Sequence, residues 1–562
     1  MLVACLLSAG LLAGGISQRA LAANAGARTR LEADATVPVA PSDVPPAGRA
    51  LSADEVLETA GRLRRVQDLR AANPGSTMTA YLVAGGGWEV DCFTAKGAEI
   101  GEVVISGRGR VREVWTGVQA TWTLARGRPG ALGGLLDAWW MWLPLCALFL
   151  APFVRWRKPF QLVHLDLLVL LSFSVSLAFF NHGLIDESVP LVYPPLLYLL
   201  ARMLWLALRR RRGQPLRCHV GARWLAVGLA VLVPLRIALN VTDGGVIDVG
   251  YAGVIGASRI AGGEPLYGGY PKEDAHGDTY GPVVYEAYVP FEQIFGWSGT
   301  WDSLPAAHAA AIFFDLLAMA LLFLLGRRVR GPSLGIVLAY AWAAYPFTLL
   351  AMESGTNDSL VACCLLATLL CAAPASRGAL GALTGLTKLA PLALTPLLAS
   401  EALRTAAAGR RRGVALSLFA LAFVVAAALA MVPALLHDSL HTIYERTLGY
   451  QLARDTPFSV WGLYGLGTLK AVLDAAVLAL AVLIACVRRQ PGIGALAAAS
   501  AAVLIAVQLS LDYWLYLYIP WFFPLVLLAL AAPAVRVSGR CGPAVAASGS
   551  ARSRPPSAAA SR

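Results

Sequence analysis

Between residues 135 and 532 the chain carries eleven apolar stretches, most near the length that crosses a bilayer, and no other feature constrains its fold as far. They lie at about 135–154, 162–180, 188–208, 222–240, 306–325, 332–351, 358–373, 413–433, 467–487, 493–511 and 514–532. Backbone in lipid must satisfy its own hydrogen bonds, so such stretches predict helices. The chain therefore reads as mainly α, a polytopic α-helical membrane protein. Composition agrees: 57% of its 562 residues are hydrophobic and 14% charged, outside the range of soluble domains.

The net charge of +12 resides largely in short Arg clusters between apolar stretches, and no basic face interleaved with aromatics points to nucleic acid. Arg155, Arg157 and Lys158, Arg209 to Arg212, Arg327, Arg328 and Arg330, Arg410 to Arg412, Arg488 and Arg489, and Arg536 and Arg540 all fall on one side of the predicted spans. By the positive-inside rule that side is the cytoplasm. The alternate connections carry acids: Asp186 and Glu187, the loop 241–305, Glu353 and Asp358, the loop 434–466, and Asp512. The expected placement is a multi-pass plasma-membrane protein with both long loops outside, and with residues 533–562 as a disordered cytoplasmic tail.

Residues 1–22 read as a signal peptide, an apolar run ending in Ala20-Leu-Ala22, although Leu2 to Cys5 also has the form of a lipobox. A Pro/Ala-rich linker (23–50) precedes a small extracytoplasmic α+β domain over 51–128. Ser52 and Glu55 have the spacing of a capping box opening a helix that carries Val56, Leu57, Ala60, Leu63 and Leu69. Strands are expected at about 79–83, 88–93, 99–105 and 110–115, with Trp88, Val90 and Cys92 alternating. This helix-then-meander order, closing on Val114-Trp-Thr-Gly117, resembles a PepSY-like module. The nine cysteines form no CxxC or zinc spacing, and no ligand cluster calls for a metal or another cofactor.

One apolar segment resists the count. Residues 378–402 could cross, yet Arg377 before them and Arg410 to Arg412 after them belong on the same side. A re-entrant hairpin of two half-helices, with Thr387, Lys388 and Pro391 near its apex, reconciles the two, and an interfacial helix with a snorkelling Lys388 is the alternative. Broken backbone in a membrane lines a cavity or is buried in protein, so a site is expected there.

The loop 241–305 is the richest in chemistry, with Asp243, Asp248, Tyr251, Tyr267, Asp278 and Tyr280 among glycines. Carboxylates that accept hydroxyl hydrogen bonds and aromatic faces that cover a ring suit carbohydrate recognition. Glu353, Asn357 and Asp358 lead into a span, Lys388 sits in an apolar stretch, and Arg446 and Arg454 occupy the other long loop. Ionisable groups at a membrane are costly and mark sites. Acids and bases on one side would serve a phosphate-linked sugar, with Arg or Lys holding phosphate and a carboxylate activating the acceptor hydroxyl. The competing reading of Arg446 and Arg454 is surface pairing with Glu445 and Asp455. There is no P-loop, dinucleotide fingerprint, HExxH or GxSxG at a strand-to-helix turn.

In order along the chain, Asp248 with Tyr251, Gly263 to Tyr267 (GEPLY), Tyr280-Gly-Pro282, Gly355 to Asp358 (GTND) and Gly385 to Pro391 (GLTKLAP) resemble the GT-C membrane glycosyltransferases. The resemblance is to glycosyltransferase family 87, polyprenyl-phosphate-mannose-dependent mannosyltransferases, over about 135–532. It implies inverting transfer of a sugar, usually mannose, from a polyprenyl-phosphate donor to a glycan, glycolipid or glycoprotein acceptor. Carried over by residue, Asp248 matches the general base and Lys388 a donor-phosphate ligand, joined by Arg446 and Arg454. Asp243, Tyr251, Tyr267, Asp278, Tyr280, Glu353, Asn357 and Asp358 are the expected substrate-binding residues. Asp243 competes with Asp248 as base, but the Tyr251 and GEPLY spacing follows Asp248. The small N-terminal domain and two additional early spans depart from the simplest members.

Two other functions compete. A transporter or flippase of a lipid-linked saccharide predicts an inverted repeat and mid-membrane acids, whereas the acids here gather at span ends. A receptor or scaffold would need far fewer spans to anchor its sensing domain.

Overall fold

The computed structural model describes residues 36–532 apart from 84–86, 96–98, 117–133, 156, 210–214, 272–273, 275, 300, 302–303, 407–409, 455, 488–489 and 491. The expected leader, the start of the linker, the end of the small domain after 116, Arg210 to Arg212, Arg488, Arg489, Asp455 and the C-terminal tail lie outside the described residues.

The small domain is a five-stranded antiparallel meander with two helices on one face: β1 (Thr36–Val39), α1 (Ala53–Gly61), α2 (Arg64–Ala72), β2 (Thr77–Val83), β3 (Trp88–Phe93), β4 (Glu99–Ile105) and β5 (Val111–Thr116). The capping box forms as expected, with Ser52 Oγ accepting from the Glu55 amide and Glu55 Oε2 accepting from the Ser52 amide. Two expectations need correction. The linker contributes the edge strand β1, pairing Val39 with Ala80, so Pro38 sits at an edge where a missing donor is tolerated. The single amphipathic helix is two, because Leu63 is extended (ψ 128°), and both Val56 and Val66 then reach the sheet. Trp88, Val90 and Cys92 are fully buried against these helices, confirming the alternation. Gly101 lies beneath α2, where a Cβ would come within 2.6 Å of Leu69 Cδ2 and require that side chain to shift.

The rest of the chain is helical: α3 (Trp139–Leu150), α4 (Leu162–Phe180), α5 (Ile185–Leu208), α6 (Ala222–Thr242), α7 (Asp248–Gly262), α8 (Pro282–Phe295), α9 (Pro305–Arg330), α10 (Pro332–Ala344), α11 (Pro346–Glu353), α12 (Asp358–Leu370), α13 (Pro374–Gly385), α14 (Thr395–Thr405) and α15 (Arg410–Ala430). Then follow α16 (Val432–Leu435), α17 (Leu440–Tyr444), a π turn (Glu445–Gly449), α18 (Tyr450–Ala453), α19 (Val460–Leu463), α20 (Gly467–Cys486), α21 (Ile493–Ser510) and α22 (Ile519–Ala531). All eleven apolar stretches hold helix, but among the described residues seven helices (α4, α5, α6, α9, α15, α20, α21) are long and apolar enough to span by themselves. Helices α10 and α11 pass the test as a pair bent by 60°, with Tyr345-Pro346 at the bend. The stretches at α3, α12 and α22 are shorter apolar helices. Helices α15 and α20 bury little of their surface, as lipid-facing helices do, while α21 is largely enclosed.

Buried ion pairs pin the bundle. Arg202 of α5 grips both Asp166 carboxylate oxygens on α4, at 2.9 and 3.0 Å. Arg236 of α6 holds Asp315 of α9 at 2.6 and 3.1 Å, and Trp342 Nε1 of α10 donates to the same carboxylate at 2.7 Å. In an apolar surround such charges persist only with full hydrogen bonding, so these contacts fix helix register.

The helix–break–helix expected at 378–402 is present: α13 ends at Gly385, a 3-10 turn runs Ala390–Leu394, and α14 follows, leaving Thr387 and Lys388 in the break.

Candidate active site

Four motifs that are far apart in sequence are joined in two hydrogen-bonded pairs. The amide of Ile247 donates to Ser354 O at 3.1 Å, seating the start of α7 on the turn between α11 and α12. Gly250 has no Cβ where the Gly355 carbonyl packs. Across the same site the amides of Gly281 and Val283 donate to Thr387 O and Leu386 O, at 3.0 and 3.2 Å. A helix break leaves carbonyls unpaired, and this loop satisfies them. Asp248, Tyr280, Asp358 and Lys388 are thereby gathered.

At the centre, Lys388 Nζ lies 2.6 Å from Asp358 Oδ1, and Trp521 Nε1 donates to the same oxygen at 2.8 Å. The ammonium also sits 5.1 to 5.4 Å from the ring centres of Tyr280, Tyr518 and Trp521. A carboxylate and three π faces compensate its lost hydration. Behind the pair, Asp358 Oδ2, both side-chain heteroatoms of Asn357 and the Ser359 hydroxyl are buried without a partner among the described residues. Such a cluster marks a place where other polar groups complete the hydrogen bonding.

Asp248 is the first residue of α7, and its Oδ1 accepts from the Val249 amide at 2.8 Å. Its side chain is open to solvent within enclosing walls. That enclosure pushes the carboxyl above the ordinary range, against the amide bond and the charges of Arg454 and Lys388, while Asp358 adds to the rise. Arg454 stacks its guanidinium 3.7 Å from the Tyr513 ring centre and 5.7 Å from that of Tyr450. Among the described residues it has no carboxylate ion pair.

A second group joins the two long loops. Asp278 accepts from the Gly268 amide at 2.6 Å and pairs with Arg446 at 3.5 Å. Asp438 accepts from the amides of Leu266 and Tyr267 at 2.8 and 3.2 Å, and Tyr267 OH donates to Tyr280 O. Arg446 therefore pairs with Asp278 rather than with Glu445, which lies beside His441.

Three expected residues stand apart. Asp243 accepts from the Leu135 amide at 2.7 Å and ties the chain before α3 to the end of α6. Glu353 is buried where the charges of Arg236 and Asp315 act on it. Tyr251 is packed in the core, its ring 4.8 Å from Trp301. Sequence reading missed Tyr450, Tyr513, Tyr518, Trp521 and Asp438. The dense aromatics at 513–521 were the available signal, but aromatics at a span end also form interfacial belts.

No protein-family description, curated protein or solved structure matches this chain.

Proposed function

We propose that the chain is a membrane glycosyltransferase that moves a sugar, mannose by the family resemblance, from a polyprenyl-phosphate donor to an acceptor on the outer face of the membrane. The observation that carries this reading is one carboxylate open to solvent, Asp248, set among the charges of Arg454 and Lys388. Asp248 takes the proton of the acceptor hydroxyl as its oxygen bonds to the anomeric carbon. The bond from that carbon to the phosphate oxygen breaks with its electron pair, and inversion follows from attack on the opposite face. Polyprenyl phosphate leaves with the added negative charge, which Arg454 meets directly because among the described residues no carboxylate is paired with it. Lys388, held by Asp358, adds charge from within the wall and orders Tyr280.

The test is transfer from a radiolabelled polyprenyl-phosphate sugar by wild type, Asp248→Asn and Arg454→Gln in membranes. Asp248→Asn is expected to insert and fold yet transfer nothing; retained transfer removes it as base. Arg454→Gln should weaken donor use by about 10- to 100-fold, the loss of one charged hydrogen bond.

A further inference from the structure

The far end of α13 from Lys388 has its own unsatisfied chemistry. Helix α13 begins without a side-chain cap: Ala373 is its N-cap and Pro374 its first residue. The amides of Ala375 and Ser376 are therefore first-turn donors with no intrahelical acceptor. The Arg377 side chain, only 6% exposed, folds back over this terminus, where Nη2 donates to Cys371 O at 2.7 Å. Its Nε and Nη1 are fully buried and have no hydrogen-bond partner among the described residues. Arg328, at the end of α9, adds a second guanidinium, and its Nη1 donates to Leu370 O. Glu401 of α14 offsets part of the Arg377 charge but takes neither free N–H.

We propose that this terminus is a binding site for a phosphate-bearing anion. An uncapped helix start presents amides and positive potential, and two guanidiniums lie just before it, on the adjacent carbonyls of Leu370 and Cys371. Buried guanidinium donors without acceptors are costly, and an oxyanion supplies acceptors together with opposite charge. The site is distinct from the Asp248 recess, because about 12 Å of helix, from Arg377 to the end of α13 at Gly385, separates Arg377 from the break that holds Lys388. It does not depend on the glycosyltransferase reading. In a chain of apolar helices the abundant phosphate is an acidic phospholipid headgroup, with free phosphate the other source.

The experiment uses the purified full chain in detergent and follows its thermal unfolding midpoint. Three additions are compared: inorganic phosphate, phosphatidylglycerol and phosphatidylcholine. Phosphatidylglycerol is expected to raise the midpoint and to remain bound through gel filtration, Arg377→Met to abolish both effects, and Arg328→Gln to weaken them. A response to inorganic phosphate alone, lost in Arg377→Met, supports the site and assigns it to the free anion. Equal responses to phosphatidylcholine and phosphatidylglycerol, or an unchanged response in Arg377→Met, overturn the proposal. Arg328 is exposed, so Arg328→Gln leaves the core intact; if Arg377→Met does not fold, a wild-type response in Arg328→Gln overturns it instead.

Discussion

Replacing Gly281 with alanine would place a Cβ 2.5 Å from the Leu386 carbonyl carbon and closer still to its oxygen. Carbon atoms in contact sit about 3.5 Å apart, so the two segments must separate by about 1 Å. Gly281 has φ −69°, which alanine adopts freely, so the effect is steric and not one of backbone preference. Separation stretches the 3.0 and 3.2 Å bonds that hold Gly281 and Val283 to Thr387 and Leu386, and it moves the Tyr280 ring off Lys388. Overpacking of this kind costs about 1 to 3 kcal/mol, and a 1 Å displacement of reacting groups costs about 100-fold in rate. The assay pairs a thermal unfolding midpoint in detergent with sugar transfer in membranes. Gly413→Ala is the control, since nothing lies within 4 Å of its Cβ on helix α15. Wild-type stability and transfer in Gly281→Ala would refute the docking of these two segments. Lost stability with transfer intact would separate the docking from catalysis.

Three further outcomes follow from the same geometry. Lys388→Met leaves the buried Asp358 carboxyl without its cation, a loss of about 3 to 5 kcal/mol, and adding Asp358→Asn should restore much of it; a double variant no more stable than Lys388→Met would show that the pair is not what holds these elements. Asp248 must be ionised to act as base, and desolvation by the enclosing walls raises its carboxyl, so transfer should fall on acidification through a limb above the ordinary aspartate range of about 3.9. Arg454 favours the carboxylate, so Arg454→Gln should shift that limb in kcat/KM further toward alkaline pH; a shift toward acid would contradict the arrangement.

Much of the local structure was legible. The capping box, the alternation of β3 and the apolar stretches are patterns within one element, where periodicity and length reflect the surroundings directly. The break at Thr387 and Lys388 was also legible, because charge on both flanks conflicted with the apolar length between them. Other features were hidden. The Pro/Ala-rich linker did not announce β1, since an edge strand takes its stability from the partner strand. Tyr251, in a loop of sugar-like composition, belongs to the core because Trp301 stacks on it from 50 residues away.

The sequence by itself determined that this chain is built from apolar helices with a small α+β domain, because hydropathy acts on each segment alone. Tertiary structure decided which ionisable groups meet: Lys388 with Asp358, Arg446 with Asp278, Asp243 with the Leu135 amide. It also decided that Asp248 opens to solvent while Glu353 is sealed inside. Spacing along the chain could not report this, because a charge takes its role from the partner and the solvent exposure that packing provides.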